Sequence, residues 1–547
     1  MSVAPGIERL QIVTTEKNVN IALSVIVPVY DQAETIVENV RTIRERVEAG
    51  LREGDDFEVI VVSDGSVDGT AERMLESELP NVRVLYYDRN LGKGYAVTTG
   101  AREARGRWVS YIDADLDLDP ASLPVYVEIA ERDGLDFAIG SKRHPDSKVI
   151  YPRSRVVASW LYQQFVRVFF RLDVRDTQVG IKVFRREVAK EVIPLLLVKR
   201  YAFDVELLAV SRAFGYGRVR EMPISLDYRF TGSGVRSMAV AHALVDTLAV
   251  FYRLRILGFY QRRAASLRHF AWNVESDGIM PLVTAIDASG DTATRRIEAE
   301  EASGEILAFI EPGAHPSANW LSSTLPFFSR SEIAAVVTPQ LSPSGGDVRQ
   351  QAAAAIGESR LGSGSLNFRF KPGSIRLTPD FPARSFLVRR DSYLALDPET
   401  PPEQVVFELD RRGGRTLYLP DASVTMPPAP LFRSHLRRIG AYGVSRGLAV
   451  RTRGMSALGL PTLATVALLL WATVGWLLLA VGQADLWIAV WAAYLGVIGL
   501  AAFFGGLRYR SARVGILSAG GLVLTHLVFA LLFVSGLVVR RRGTGSS

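Results

Sequence analysis

The feature that most constrains this chain is a set of three long apolar runs near its C-terminus. They cover Ser456–Val481, Leu486–Gly505 and Val514–Val539. Each reaches the roughly 20 residues that an α-helix needs to cross about 30 Å of hydrocarbon. The first two contain no charged residue, and the third contains only His526. The sequence therefore predicts three transmembrane helices, because buried core helices rarely occur as three such runs in succession.

Arginines flank these apolar runs unevenly. Arg451 and Arg453 precede the first run, and three more arginines separate the second from the third. Because cations concentrate on the cytoplasmic side, the long N-terminal part is predicted to be cytoplasmic, at the inner membrane of the cell. The basic tail, residues 540–547, would then lie outside if all three runs cross, so full crossing by the third run stays open. Residues 1–18 lack an apolar core, and no signal peptide is expected.

The amino-acid composition excludes several kinds of site and partner. The 547 residues include no cysteine and six histidines, and 64 Lys+Arg against 57 Asp+Glu leave a net charge of +7. The absence of cysteine excludes disulfides, thiolate metal sites and cysteine nucleophiles. The net charge is small, and many cations lie at the membrane borders, so nucleic-acid binding is a poor fit.

The N-terminal part alternates short β-type runs with helical stretches. Strands are predicted at residues 21–29, 57–62, 82–87, 107–112 and 136–140, and helices at 32–49, 69–78 and 94–104. This alternation, with continuous apolar strands, indicates an α/β fold that is Rossmann-like with a mostly parallel sheet. Ligands of such sheets bind beyond the carboxyl ends of the strands.

Polar clusters fall at three of those strand ends, in Pro28–Asp31, Ser63–Ser66 and Asp113–Asp115. We expect them to converge on one crevice. There Asp64 is placed to accept hydrogen bonds from a base or ribose, and Gly65 lets the backbone approach closely.

Two further groups suit a phosphorylated ligand. Asn90-Leu91-Gly92-Lys93-Gly94 leads into a helix and offers amides and a cation to anionic oxygens. Asp113 and Asp115, with Asp117 two residues on, can face a hard divalent cation, which binds a few carboxylates plus substrate phosphates.

Several separated motifs, in this order, resemble glycosyltransferase family 2. They read IALSVIVPVYDQAETI, VVSDGSVDGT, NLGKGYAVTTGAREARGRWVSYIDADLDLDP and DTQVGIKVFRREV. The resemblance covers about residues 20–235, and within the family it is closest to the dolichol-phosphate (polyprenyl-phosphate) mannosyl- and glucosyltransferases. It implies a GT-A fold, a nucleotide-sugar donor, either GDP-mannose or a UDP-hexose, and Mg²⁺ or Mn²⁺.

The resemblance and the strand-end pattern together assign the candidate site residues. The nucleotide-sugar set is Pro28, Tyr30, Asp31, Glu34, Asp64, Gly65, Asn90, Lys93, Asp113 and Ala114. The metal set is Asp113, Asp115 and Asp117, and the acceptor or phosphate set is Arg143, Asp176, Gln178, Lys182, Arg229 and Arg236. The chain departs from the family pattern at Ser63, at Asp31 and in residues 229–235, which lack the usual lysine.

The acidic pair Asp204 and Glu206 completes the candidate catalytic residues, with Asp113 and Asp115. A hydroxyl acceptor needs a general base, because its pKa lies far above neutral. A polyprenyl phosphate is already an anion and needs only positioning and charge stabilisation. We therefore expect Asp204 and Glu206 to orient groups, and to become candidate bases only if the acceptor is a hydroxyl.

Two stretches mix aromatic residues with arginines, Val156–Leu172 and Met238–Arg263. Such helices commonly lie in the headgroup plane of a membrane. An apolar stripe packed on the sheet is the alternative for each. In the family that the chain resembles, helices at these positions are interface helices, which favours the membrane role.

Residues 264–430 contain a weak internal repeat. Gly106–Asp113 and Gly304–Glu311 share glycine, aromatic, isoleucine and acid at the same spacing. This predicts a second, degenerate GT-A-like domain. The metal motif is reduced to Glu311-Pro312-Gly313, and the region 401–404 offers no acidic pair, so we expect no catalysis there. Such a domain would pack on the first, form a homo-oligomer, or bind a glycan or lipid.

The predicted organisation follows. The segments are an extension (1–20), a catalytic domain (21–235), an interface helix (236–263), the degenerate domain (264–430), a basic juxtamembrane helix (431–455), the membrane domain (456–539) and a basic tail (540–547). The predicted function is inverting transfer of a hexose, mannose or glucose, to polyprenyl phosphate. The alternatives are transfer to a hydroxyl in envelope polysaccharide or glycolipid synthesis, and a non-catalytic scaffold that binds nucleotide-sugar.

Overall fold

The computed structural model describes residues 21–149, 153–200, 202–226, 237–267, 281–288, 292–343, 345–453, 460–477 and 481–538. They fall into two compact units. The first lies within residues 1–338 and 373–425, and the second within 339–372 and 426–547. The first unit contains a seven-stranded and a six-stranded β-sheet besides smaller ones, and the second is mainly helical.

The larger sheet of the first unit has seven strands in the order β3-β2-β1-β4-β7-β5-β8. All run in the same direction except β7, which is antiparallel to both neighbours. The strands of this region are β1 (Ile21–Val29), β2 (Asp56–Asp64), β3 (Val82–Tyr87), β4 (Trp108–Ile112), β5 (Phe137–Ser141), β6 (Lys148–Val149), β7 (Ile181–Arg185), β8 (Val219–Pro223) and β9 (Ser225–Leu226). The predicted α/β class with a mostly parallel, GT-A-like sheet is confirmed, and the predicted strands all form.

Helices lie between and after these strands in the chain. They are α1 (Ile36–Gly50), α2 (Thr70–Glu76), α3 (Lys93–Glu103), α4 (Ser122–Arg132), α5 (Arg153–Phe170), α6 (Arg186–Glu191), α7 (Phe203–Ala213), α8 (Ser237–Phe251) and α9 (Phe259–Leu267). In α1 the buried residues recur every three or four positions, at Ile36, Val40, Ile43 and Val47. This stripe packs with alternate strand residues such as Val25 and Val59 in one apolar core.

The stretch predicted as one interface helix over Met238–Arg263 is broken, so that prediction is wrong in its continuity. A π-helical turn, Tyr252–Ile256, follows α8, and α9 begins only at Phe259. Gly258 between them has a φ of +53°, a left-handed conformation that glycine adopts without strain and that ends a helix.

A second sheet in the same unit has the order β10-β11-β16-β13-β17-β15. Its region contains β10 (Val283–Asp287), β11 (Ile306–Ile310), β12 (His315–Pro316), β13 (Ile333–Val337), β14 (Gln340–Leu341), β15 (Arg376–Leu377), β16 (Phe386–Arg389), β17 (Arg415–Tyr418) and β18 (Val424–Thr425). This part of the chain also forms α10 (Thr292–Glu301), α11 (Trp320–Thr324), α12 (Val348–Glu358), α13 (Arg360–Ser363), α14 (Arg390–Leu394) and α15 (Pro402–Arg411), of which α12 and α13, like β14, belong to the second unit.

Five strands of the second sheet repeat the order and directions of β1-β4-β7-β5-β8. The pair β10–β11 is parallel, β16 is antiparallel to β11 and β13, and β17 is parallel to β13. The register also repeats, because Trp108 pairs with Arg185 and Ile306 pairs with Arg389. The described residues of the second sheet include no counterpart of β2 or β3.

The second unit contains α12, α13 and the C-terminal helices α16 (Arg433–Arg453), α17 (Leu460–Val474), α18 (Ala484–Arg508) and α19 (Ala512–Val538). Among the described residues, α18 and α19 are long and apolar enough to cross a membrane. The described part of α17 is shorter, and residues 454–459 and 478–480 lie outside the described chain.

Glycines let α16 approach α19 closely. Gly440 packs against Val528 and Leu532, Gly443 against Phe529 and Phe533, and Gly447 against Phe533 and Gly536, so the two helices run in the same direction. His435 Nε2 lies 3.0 Å from Thr525 Oγ1 at the start of this contact. The basic helix α16 therefore lies along the C-terminal half of α19.

Candidate functional site

A cavity of about 450 Å³ opens at the carboxyl edge of the larger sheet, and we call it the strand-end pocket. It is lined by Pro28, Val29, Tyr30, Asp64, Asn90, Gly92, Lys93, Gln178, Arg200 and Asp204. Seven of these belong to the predicted site set. The sheet brings them together because the parallel strands β1 and β2 end side by side there. A cavity of about 510 Å³ elsewhere, lined by Arg107, Trp108 and Arg185 among others, contains none of the predicted residues.

Asp64, the last residue of β2, organises the pocket wall. Its carboxylate accepts hydrogen bonds from the amides of Leu91 and Gly92, each at 2.8 Å, and from the Tyr87 hydroxyl at 2.9 Å. Burial raises the pKa of Asp64 to about 6, although these three hydrogen bonds favour the ionised form and oppose the rise. Asp64 thus holds the loop that precedes α3.

Two glycines make this close packing possible. Gly65 has a φ of +68°, and a side chain there would collide with the backbone of Arg89 and Asn90. Gly92 has a φ of +106°, and a side chain there would meet the Lys199 carbonyl and the Arg200 side chain at 2.5 and 2.6 Å. Both positions need glycine for its freedom at positive φ as well as for space.

Lys93, the first residue of α3, points its ammonium group at Asp113 at the end of β4, and the two form an ion pair. Burial lowers the pKa of Lys93, but Asp113 and Asp204 outweigh burial and raise it, so this side chain is a cation. Gly180 packs directly on the Asp113 carboxylate, and any side chain there would displace that carboxylate. The Asp113 amide also donates to the Gly180 carbonyl at 3.2 Å.

The three acids of the proposed metal set lie in one tight turn. Leu116 between them has a φ of +59°, and the Asp117 amide donates to Asp115 Oδ1 at 3.2 Å. Burial, and then the neighbouring Asp113 and Asp117 charges, raise the pKa of Asp115. Within the described residues, no three carboxylate or histidine groups converge as a preformed metal site. A pair of mutually repelling carboxylates still fits Mg²⁺ or Mn²⁺, because these ions complete their shell with substrate phosphate and water.

Behind the pocket, Lys182 and Asp204 form a buried pair. The Lys182 ammonium lies 2.7 Å from Asp204 Oδ1 and also donates to the Val179 carbonyl at 2.7 Å. The Tyr111 hydroxyl donates to the same Asp204 oxygen. Burial lowers the pKa of Lys182, and Asp204 opposes this. Two donors on one oxygen hold Asp204 in place.

Glu206, the second member of the acidic pair, does not line the pocket. It is fully buried, accepts hydrogen bonds from the amides of Leu197 and Val198 at 2.9 and 2.7 Å, and also accepts from the Tyr260 hydroxyl. Glu206 thus anchors α7 to the segment before it. Its position away from the pocket does not support a role as general base.

The remaining predicted residues are not among those that line the pocket. Asp31 accepts from the Val67 amide at 3.0 Å, Glu34 is exposed, and the Ala114 carbonyl accepts from Asn39 at 2.9 Å. On the acceptor side, Asp176 accepts from the amides of Lys142 and Gln178, and the Arg143 amide donates to Ser141. The predictions for Arg229 and Arg236 fall outside the described residues.

Sequence reasoning missed Arg200 and Tyr111. Arg200 lines the pocket and lies close enough to Asp64 to favour its ionised form. The only local signal was the pair Lys199-Arg200 before the helix that carries Asp204 and Glu206. Tyr111 sits within a strand, where an aromatic residue carries no functional signal of its own.

Comparison with known proteins finds similarity in the first part of the chain. Residues 24–193 match the family model described as glycosyl transferase family 2. Glycosyltransferase AglD of Haloferax volcanii is 36% identical over 209 residues, which are 38% of this chain and 33% of AglD. A dolichyl-phosphate beta-glucosyltransferase of Drosophila melanogaster is 36% identical over 215 residues, 36% of this chain and 64% of the relative. One from Dictyostelium discoideum is 31% identical over 207 residues, 35% of this chain and 63% of the relative.

The chain thus spans from a third to slightly under two thirds of the length of these relatives. Among solved structures, glucosyl-3-phosphoglycerate synthase from Mycobacterium tuberculosis, in complex with Mn²⁺, UDP-glucose and phosphoglyceric acid, is 17% identical, with a TM-score of 0.33 over 42% of this chain and 79% of that one. Mannosyl-3-phosphoglycerate synthase from Rubrobacter xylanophilus is 20% identical, with a TM-score of 0.35 over 43% of this chain and 74% of that one.

Proposed function

We propose that the glycosyl transferase family 2 domain of residues 24–193, completed by the strands and helices that follow it, transfers a hexose from a nucleotide-sugar to a polyprenyl phosphate at a membrane surface. The observation that carries this proposal is the strand-end pocket. It places the ordered loop before α3, the cations Lys93 and Arg200, and the Asp113 turn around one cavity. These groups suit the base, diphosphate and metal ion of a nucleotide-sugar.

Lys93 and Arg200 would bind the diphosphate. Both line the pocket, and the amide-rich start of α3 adds further positive potential beside Lys93. The carboxylates of Asp113 and Asp115, with Asp117 beside them, would hold Mg²⁺ or Mn²⁺. Such an ion, when bound, offsets the charge that develops on the leaving diphosphate.

The acceptor proposal rests on Asp204. Its Oδ1 atom already accepts from Lys182 and Tyr111, so this oxygen is not available to remove a proton from an incoming hydroxyl. An acceptor that is already an anion needs no such base. The relatives whose names include dolichyl phosphate support the same choice. Their names specify glucose, which makes UDP-glucose the first donor to test, with GDP-mannose as the second.

Membrane association fits the exposed apolar surfaces. On α8 and the π-helical turn, Val245, Leu248, Tyr252 and Ile256 are exposed at helical spacing. In the second unit, α18 exposes large apolar side chains along its length, namely Leu486, Ile488, Leu495, Val497, Leu500, Phe503, Phe504 and Leu507. We propose a cell-membrane protein with its catalytic unit on the cytoplasmic side, as the arginine distribution predicts.

The second sheet is proposed to be a degenerate GT-A-like copy without catalytic activity. Without counterparts of β2 and β3 among its described strands, it lacks the strand end that carries Asp64 in the larger sheet. Glu311 occupies the position of Asp113 but pairs with Arg384 at 3.7 Å, and Pro312 and Gly313 supply no second acid.

A donor screen with purified membranes tests the function. The membranes contain the full chain and a short polyprenyl phosphate, and each radiolabelled nucleotide-sugar is added in turn with Mn²⁺. We expect a labelled product that extracts into organic solvent and is released by mild acid, since a sugar attached through phosphate is acid-labile.

Two other outcomes would contradict this proposal. An acid-stable lipid or polysaccharide product would indicate a hydroxyl acceptor. Metal-dependent nucleotide-sugar binding without transfer or hydrolysis for any donor would indicate a non-catalytic scaffold. Membranes that contain the Asp115→Asn variant provide the background level of labelled product.

A further inference from the structure

The second sheet contacts the larger sheet's domain at α3, the helix that begins at the strand-end pocket. The contact segment is residues 420–423, between β17 and β18. The Tyr95 hydroxyl on α3 donates to the Pro420 carbonyl at 2.8 Å. At the end of α3, Glu103 accepts a hydrogen bond from Ser323 at 2.6 Å. The second sheet therefore touches α3 near its first turn and again at its last residue.

Asp421 is the charged centre of this contact. Its carboxylate is almost completely buried and lies 3.0 Å from Arg102 Nε on α3. Burial lowers the pKa of the neighbouring Lys199, and the Asp421 charge is the largest influence opposing that change. The Lys199 ammonium also lies over the Tyr95 ring, 5.2 Å from its centre. The second sheet thus inserts one carboxylate among two cations of the larger domain.

The groups around Asp421 continue directly into the pocket wall. The Tyr95 ring meets the Tyr87 ring edge-on at 5.2 Å, and the Tyr87 hydroxyl donates to Asp64. The Tyr95 amide contacts the Lys199 carbonyl at 3.3 Å, and that carbonyl packs against Gly92. Arg200, which lines the pocket, follows Lys199 in the chain. Two short paths therefore join Asp421 to residues of the pocket.

We infer that Asp421 is a positioning residue for the donor site, so that the catalytically degenerate second sheet sets the affinity of the larger domain for its nucleotide. This inference rests on the proposed function. Its physical basis is that α3 carries Lys93 at one end and is held by Asp421 through Arg102 and Lys199. Loss of the carboxylate removes the ion pair of Arg102 and leaves Lys199 with only the weaker Glu206 charge to oppose burial, so we expect α3 and its preceding loop to shift until water reaches these largely buried cations.

The test compares nucleotide binding and turnover in the full chain. For Asp421→Asn, we expect the dissociation constants of UDP and GDP, measured by calorimetry in detergent with Mn²⁺, to rise about tenfold, a typical coupling between sites. The KM for the nucleotide-sugar should rise in parallel. The kcat and the KM for polyprenyl phosphate should stay within about twofold, the scatter expected for uncoupled sites. Tyr95→Phe, which removes only the hydroxyl bound to Pro420, should weaken binding in the same direction by a smaller factor.

Asp136→Asn is the matched control. Asp136 is a similarly buried carboxylate, paired with Arg218 at 2.9 Å and Arg185 at 3.4 Å, and neither partner lines the strand-end pocket. This variant should lose thermal stability as Asp421→Asn does, yet keep its UDP dissociation constant within about twofold.

Three results would overturn the inference. The first is unchanged nucleotide binding in a folded Asp421→Asn variant. The second is a loss of nucleotide binding in Asp136→Asn equal to that in Asp421→Asn. The third applies if Asp421→Asn does not fold, and is unchanged nucleotide binding in Tyr95→Phe. A wild-type chain that binds neither UDP nor GDP would instead refute the proposed function. Because binding is measured without acceptor, the two failures are distinguishable.

Discussion

The carboxylate of Asp64 joins three parts of the strand-end pocket, through hydrogen bonds to Tyr87, Leu91 and Gly92. Burial places its pKa at about 6, so a modest fall in pH adds a proton to a group whose oxygens all act as acceptors. A protonated oxygen no longer accepts from an amide, and the loop before α3 loses an anchor. One buried side chain thus links pH to the geometry of the pocket.

We therefore predict that nucleotide binding weakens as the pH falls through about 6. The dissociation constant of UDP, measured at saturating Mn²⁺, should be constant at higher pH and rise at lower pH. Tyr87→Phe should move the midpoint upward, because it removes a donor that stabilises the ionised carboxylate. A profile that is the same in Asp64→Asn as in the wild type would show that another group is responsible.

At the metal turn, we predict that Asp115→Asn lowers transfer by at least about 100-fold, as expected for the loss of a group that holds developing charge. The neutral amide removes one of two carboxylates that a divalent cation needs there. The assay is radiolabelled transfer at several Mn²⁺ concentrations. Asp119→Asn is the control, since Asp119 lies in the same segment but is exposed and paired with Arg46. Turnover at the wild-type rate in Asp115→Asn would show that Asp115 does not hold a metal ion needed for transfer.

Individual motif residues were predictable, but the partners of their atoms were not. The strand-end pattern grouped Asp64 with Lys93, and the family resemblance added Gln178 and Asp204; all four line one pocket. Glu206 has the same local signal as Asp204, yet lies among the amides of Leu197 and Val198. Helical rotation between positions two apart turns the two side chains in different directions.

Among the elements, strands were the most predictable. The predicted strand at 21–29 matches β1, and the others differ by at most two residues at either end. When a long apolar, β-branched run is bounded by polar turns, the sequence defines the first and last residues of the strand closely. The break after the π-helical turn was not predicted, because apolar periodicity continues through Leu257 and Gly258.

The second sheet provides a prediction at this scale. We expect Glu311→Gln to leave transfer within a few-fold of wild type, because this strand end has no second acid and Glu311 faces Arg384 instead of a metal turn. Radiolabelled transfer under saturating donor is the measurement. Loss of transfer in a variant that still melts cooperatively would show that the second sheet takes part in catalysis.

For the whole molecule, the packing of α16 bears on the open question of the third apolar run. Six arginines, at positions 433, 437, 438, 446, 451 and 453, lie in a helix that runs beside the C-terminal half of α19. Arginines are costly within hydrocarbon. We therefore predict that α19 does not cross the membrane, which would also place the basic tail on the same side as the arginines that precede α19.

Single-cysteine labelling tests this topology. No native thiol has to be removed first, because the chain contains no cysteine. Ala512→Cys and Val538→Cys mark the two ends of α19, and both should react with an impermeant maleimide from the same side of intact vesicles. Gln483→Cys, in the connection before α18, is the control and should react only from the other side. Labelling of Val538→Cys from the side of Gln483→Cys would establish a full crossing.

The sequence by itself determined the α/β class, the limits of most strands, the clustering of polar residues at strand ends and the apolar C-terminal helices. These follow from local periodicity and from the rule that parallel strands end together. Only the tertiary structure decided that Asp204 is held by Lys182 and Tyr111, that Asp64 anchors the loop before α3, and that Asp421 reaches that helix from the second sheet. Those contacts join residues far apart in the chain, and no local pattern encodes which distant side chain fills the space beside a buried charge.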